Sequence, residues 1–138
     1  MNMENLSFKT AVDRIVEKDR RYPAEAYFFV RDGLDYTVKH LKRNPRGPTR
    51  HVTGKELAKG LCDYAQEEYG PMASFTLKAW RILSVEDFGA IVFNLVEAGK
   101  LGKTKEDKQE DFTKLFDLHA ELTSPYEMPV SPPVRRRK

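Results

Sequence analysis

From Thr53 to Pro71 the chain carries a helix whose two ends are both written into the sequence. Thr53-Gly54-Lys55-Glu56 has the form of a capping box: the threonine oxygen accepts from the N–H three residues on, and the glutamate reaches back to the threonine N–H. Val52 and Leu57 stand where a hydrophobic staple would fix the entry angle. Leu57, Leu61, Cys62, Ala65 and Tyr69 then recur on one helical stripe, and Gly70-Pro71 supplies a glycine stop followed by a residue that cannot continue the helix. A segment specified this tightly sets a mainly α expectation for what packs against it.

The neighbouring segments follow the same grammar. Phe8, Ala11, Val12, Ile15 and Val16 form a single apolar stripe, which predicts a first helix over Leu6 to Lys18. Pro23 suits the first turn of a second helix, because a proline there loses no intrahelical bond. Tyr27, Val30, Leu34, Val38 and Leu41 carry that helix to about Lys42. Asn44-Pro45-Arg46-Gly47-Pro48 breaks the pattern and reads as a loop. Met72, Phe75, Ala79, Trp80 and Leu83 line a shorter helix, and Ser84-Val85-Glu86-Asp87 caps another, whose buried side is Phe88, Ile91, Val92, Leu95 and Val96 before Gly99 ends it.

Beyond Gly99 the pattern changes. Leu101 to Thr104 and Phe112 to Leu118 flank a charged turn, Lys105 to Glu110, and are read as a small hairpin, the alternative being helix over Thr113 to His119. The expected architecture is therefore about five helices with a small C-terminal β-hairpin: a winged-helix-like unit over residues 52–119, preceded by two helices, in a single domain spanning 1–119. Residues 120–138, with Pro125, Pro129, Pro132 and Pro133, are expected to form an extended Pro-rich basic tail. Its Pro129-Val130-Ser131-Pro132 fits a P-x-x-P pattern, which in such a tail carries little information.

At 138 residues the chain has room for one domain, and 8 Phe, 6 Tyr and 1 Trp give that domain the bulk to build a core. One cysteine, Cys62, excludes an internal disulfide and any multi-cysteine metal site, and suits a reducing compartment. Its neighbours Leu57, Leu61 and Ala65 make it a small buried hydrophobe rather than a nucleophile. The longest uncharged, mostly apolar run, Gly89 to Val96, is far shorter than the ~20 residues of a membrane span, and the first residues lack the pattern of a signal peptide. These features predict a cytoplasmic protein with no membrane partner.

Charge is unevenly placed. The net charge is +3, yet residues 36–55 hold six cations (Lys39, Lys42, Arg43, Arg46, Arg50 and Lys55) and no acid, and Arg135, Arg136, Arg137 and Lys138 close the chain. The remainder is net acidic, and with a screening length of about 8 Å each basic segment acts locally on whatever docks beside it. The helix from Val85 to Ala98, which would enter a DNA groove in a winged-helix protein, has no lysine or arginine and carries Glu86, Asp87 and Glu97. Phosphate contacts supply most of the binding energy to DNA, so this helix is a poor base reader. His40, His51 and His119 have no ligand spacing, the Glu67-Glu68 pair looks like helix surface, and Gly54 and Gly60 belong to no phosphate-cradling motif. Tyr22, Tyr27, Phe28 and Phe29 read as core rather than as a platform for bases. No catalytic residue, metal site or cofactor is predicted, and the chain is expected not to be an enzyme.

Five strings carry a family resemblance: Arg21 to Tyr27 (RYPAEAY), Leu34-Asp35-Tyr36-Thr37, Arg50 to Leu57 (RHVTGKEL), Tyr69-Gly70-Pro71, and Glu86 to Gly99 (EDFGAIVFNLVEAG). Over roughly residues 6 to 119 the chain resembles a small family of conserved hypothetical proteins from Planctomycetes and Verrucomicrobia. The resemblance implies a bacterial cytoplasmic protein and brings no activity to any residue. Within these strings Tyr22, Glu25, Tyr36, Arg50, His51 and Asn94 are costly choices if buried alone, so they are expected to form a polar network, or to line a pocket, that fixes the first two helices against the unit after Thr53.

Two functions follow from the sequence. The first is binding of structured RNA or a ribonucleoprotein through Lys39, Lys42, Arg43, Arg46 and Arg50 with the terminal run Arg135 to Lys138. The alternative is a protein-interaction or self-associating adaptor that uses the face around Glu86, Asp87 and Glu97.

Overall fold

The computed structural model describes residues 3–41, 52–101 and 112–126, and every regular element among them is helical. In chain order these are α1 (Met3–Lys18), α2 (Ala24–His40), α3 (Gly54–Tyr69), a 3-10 turn (Gly70–Met72), α4 (Ala73–Ala79), α5 (Val85–Glu97), α6 (Leu118–Thr123) and a closing 3-10 turn (Ser124–Tyr126). The mainly α class holds, and no helix among the described residues is long and apolar enough to cross a membrane.

The caps read from sequence set the helix starts. Thr53 accepts from the Glu56 N–H at 3.1 Å while the Glu56 carboxylate accepts from the Thr53 N–H at 3.0 Å, the complete box. Asp87 reaches back to the Ser84 N–H at 3.1 Å to open α5. At the other end of α5, Gly99 (φ 74) turns the chain so that its own N–H reaches the Val96 carbonyl and that of Lys100 reaches Leu95, the pairing that satisfies orphan carbonyls at a helix end. Pro23 stands one residue ahead of α2 in extended conformation, at the N-cap rather than in the first turn.

The core is one cluster in which α2 and α3 lie along each other and α5 closes over both. Two glycines allow the close approach of α2 to α3. A Cβ on Gly60 would stand 1.9 Å from Thr37 Oγ1, and one on Gly33 would stand 2.3 Å from Leu61 Cδ2. The buried Thr37 satisfies its hydroxyl by donating to the Gly33 carbonyl of its own helix at 2.7 Å. Tyr27, Phe88, Leu61, Ile91 and Leu95 fill the space between the three helices.

Three expectations are corrected. The helix expected over Met72 to Leu83 is only Ala73–Ala79; its chain reverses at Trp80 and Arg81 (φ 63), where the Ile82 N–H bonds the Leu77 carbonyl. Its buried side is Ala73, Ser74 and Leu77, so the apolar stripe Met72, Phe75 and Ala79 faces solvent, with Phe75 67% exposed. No strand occurs among the described residues: residues 102–111 lie outside them, and of Phe112 to Leu118, expected to be the second strand, residues 112–117 form turns and irregular chain and Leu118 opens α6. There Phe112 is buried against Gly89, Lys114 adopts φ 55 with its N–H on Glu86 Oε2, and Asp117 accepts from the Ala120 N–H to start α6. That N-cap pulls the segment into a helix, and the boundary expected at residue 119 falls inside α6, where Leu122 is buried.

Candidate functional site

Polar side chains of the turn between α1 and α2 and of α2 meet α5 and the turn before it. Tyr22 is buried, and its hydroxyl donates to Asp87 Oδ1, while Asp87 Oδ2 accepts from the N–H groups of Leu83 and Ser84. Burial, with the Asp87 carboxylate second, holds the Tyr22 phenol well above its ordinary range, so it stays a donor at any physiological pH. Asn94 Nδ2 donates to Asp19 Oδ2 and to the Tyr27 hydroxyl, both at 3.0 Å. Asp19 also receives Arg21 Nε and Nη2, at 3.1 and 2.7 Å, on the same oxygen. These Arg21 bonds, helped by Asn94, hold the Asp19 carboxyl well below the usual carboxylate range. Arg81 Nη1 adds a further tie, donating to the Arg20 and Arg21 carbonyls at 3.0 Å each. Tyr22 and Asn94 thus belong to the network. Asp19, Arg21, Tyr27, Arg81 and Asp87 were not anticipated in it: the first two sit in a run that reads as solvated charge, and Asp87 reads as a cap.

The other proposed members go elsewhere. Glu25 is exposed in the first turn of α2, where an acid favours the helix dipole. Tyr36 is half-buried and joins an aromatic contact rather than a hydrogen-bonded one. Of the basic residues, Lys39 lies exposed in the last turn of α2, paired with Asp35 at 2.9 Å. Lys42, Arg43, Arg46, Arg50 and His51, and Arg135, Arg136, Arg137 and Lys138, lie outside the described residues.

Around Tyr36 the rings form a continuous chain from the core to the surface. Phe88 contacts Phe29 at a centroid distance of 6.4 Å, Phe29 contacts Tyr64 at 5.5 Å, Tyr64 contacts Tyr36 at 5.3 Å, and Tyr36 stacks on His40 at 3.8 Å with 25° between planes. His40 Nδ1 lies 3.0 Å from the Tyr36 carbonyl; since a carbonyl only accepts, Nδ1 carries the proton and Nε2 the lone pair of the neutral ring. His40 is exposed, so the chain of rings ends at solvent on the last turn of α2.

Two groups with nucleophilic chemistry are taken up structurally. Ser74 donates to His119 Nδ1 at 2.6 Å and His119 Nε2 donates to the Ile82 carbonyl at 3.0 Å, so both ring nitrogens are occupied inside the protein and the buried hydroxyl bridges α4 to α6. Cys62 is buried, and burial pushes its thiol up to about 12, which leaves it protonated at neutral pH. On α5, Asp87 is consumed by Tyr22 and the cap, and Glu86 accepts the Lys114 N–H. Comparison with protein-family models, with curated proteins and with solved structures finds no match to this chain.

Proposed function

We propose that this chain is a non-enzymatic RNA-binding protein of the bacterial cytoplasm, gripping phosphates of structured RNA or a ribonucleoprotein with the basic stretch Lys39 to Arg50 and the terminal run Arg135 to Lys138. The observation that carries the reading is the position of its first cation. Lys39 stands on an exposed helix end beside the exposed His40, so the cation-rich sequence starts from a solvent-facing helix end. Its ion pair with Asp35 joins two side chains that are 69% and 63% exposed, and such pairs are worth well under 1 kcal/mol, so a phosphate displaces the partner at little cost. The occupied Ser74–His119 pair and the protonated, buried Cys62 support a binding role over a catalytic one.

Fluorescence anisotropy of structured RNA and duplex DNA, against the full chain and a 1–134 truncation at about 50 and 200 mM salt, tests this. Engagement of about five phosphates gives a log-log salt slope of roughly −3.5 to −4.5. Binding that weakens with salt and with truncation is the expected result; no binding at low salt refutes the reading.

A second reading, association with another protein, is favoured by the outward apolar stripe of α4. Met72 and Phe75 are exposed there, whereas the acidic face expected on α5 has lost Asp87 to the interior. Association of that kind would persist at high salt.

A further inference from the structure

Resting on the RNA reading above, we infer that the Tyr36–His40 pair is a stacking seat for an unpaired base, so that the RNA this protein takes is single-stranded where it meets α2. Base stacking needs a flat π-face that is open on one side and does not have to be ordered on binding. Tyr36 is held from behind by Tyr64, which rests on Phe29 and through it on the fully buried Phe88. The hydrogen bond from His40 Nδ1 to the Tyr36 carbonyl fixes the imidazole against the phenol, and the exposed ring is then the terminal member of a preformed stack. A base laid on it adds a third ring to a stacked pair that Tyr64 already braces, with little loss of side-chain freedom.

The polar groups around the seat agree with that ligand. With Nδ1 turned inward onto the Tyr36 carbonyl, Nε2 is the ring nitrogen left at the rim for a hydrogen bond to a ribose 2′-hydroxyl. Lys39 precedes His40 on the same exposed helix end and can meet a phosphate beside a seated base. Stacking accepts every base, so recognition is by unpaired state and not by sequence. A duplex offers such a face only at its ends.

The test uses the full chain with two RNAs of equal charge: a single strand carrying 2-aminopurine and a blunt duplex. Tyr36→Leu and His40→Ala remove the seat, and Lys39→Ala removes a cation only. The expected result is tighter binding of the single strand by the wild type, with its 2-aminopurine emission quenched. His40→Ala and Tyr36→Leu then lose about fivefold or more in single-strand affinity and abolish the quenching, with duplex affinity and salt slope unchanged. Lys39→Ala weakens both RNAs and flattens the slope by about one. Tyr36 also packs on Tyr64, so if Tyr36→Leu fails to fold, His40→Ala decides the matter, its side chain being exposed. Equal loss on both RNAs, or no loss on either, overturns the inference. Binding of duplex alone by the wild type overturns the seat and leaves the RNA reading standing, whereas no RNA binding at all refutes both.

Discussion

Replacing Gly60 with alanine probes a close contact between α2 and α3. On an exposed helix this change stabilises by about 1 kcal/mol, because alanine is the better helix former. Here the new Cβ would lie 1.9 Å from Thr37 Oγ1, 2.6 Å from its Cγ2 and 2.7 Å from its Cβ. Real Cβ atoms essentially never approach below 3.0 Å, and Thr37 has little room to move: it is buried, and its hydroxyl is bonded to the Gly33 carbonyl. The helices must part, at the upper end of overpacking costs, about 3 kcal/mol. The net loss is about 2 kcal/mol, or a fall in Tm of about 6 to 10 °C for a domain of this size. Thermal unfolding followed by circular dichroism measures it. Thr37→Ala in the same chain removes two of the three contacts, so the double variant should be more stable than the sum of the single changes by about 1 kcal/mol. Gly33→Ala provides the contrast, since its nearest neighbour is the terminal methyl of Leu61, which can rotate, and its loss should be smaller. A Gly60→Ala protein that melts at or above the wild-type temperature would refute the reasoning.

Asn94→Leu deprives Asp19 and the fully buried Tyr27 of their shared donor and should cost about 1 to 3 kcal/mol, read as a lower Tm; an unchanged Tm would dismiss the network as a stabilising element. Asp19, held below its ordinary 3.8, contributes stability that is present above pH 4 and is lost as pH falls toward its folded value. The advantage of wild type over Asp19→Asn should therefore shrink on acidification from about pH 4. With Arg21 59% exposed it should stay below about 1 kcal/mol at neutral pH, and a pH-independent difference would contradict the linkage. Cys62, at about 12 and buried, should react with a thiol reagent at neutral pH only as fast as the protein opens; rapid labelling of the native protein would contradict its placement.

Local chemistry with one dominant signal was legible in the sequence. The Thr53 box, the Ser84-to-Asp87 start and the Gly99 stop define α3 and α5 because capping atoms lie within four residues of one another. Tyr22 and Asn94 were visible as polar residues too costly to bury alone. Their partners were not, because Asp19 and Asn94 are 75 residues apart and Tyr22 and Asp87 are 65 apart, and nothing local reports such a meeting. The stripe of α4 misled for a related reason. A seven-residue helix does not choose its own face, and here Ser74 and Leu77 are drawn inward by His119 and by the returning chain at Ile82. At residues 112–118 a short segment after a charged turn resembled the second strand of a hairpin, but one capping aspartate outweighed it. Tyr36 was recognised as a residue needing company and found it in rings instead of hydrogen bonds.

The bonds of Arg81 to the Arg20 and Arg21 carbonyls bear on how the molecule opens. They join the turn between α1 and α2 to the turn before α5, about 60 residues further along the chain, at positions where Asp19 is also tied to Asn94. A helix ordinarily frays from its ends, yet the last turn of α1 can leave only if bonds to the α5 side break with it. In hydrogen exchange the amides near Asp19, whose N–H bonds the Ile15 carbonyl, should therefore open as one cooperative unit with those of α5, while protection declines toward the start of α1.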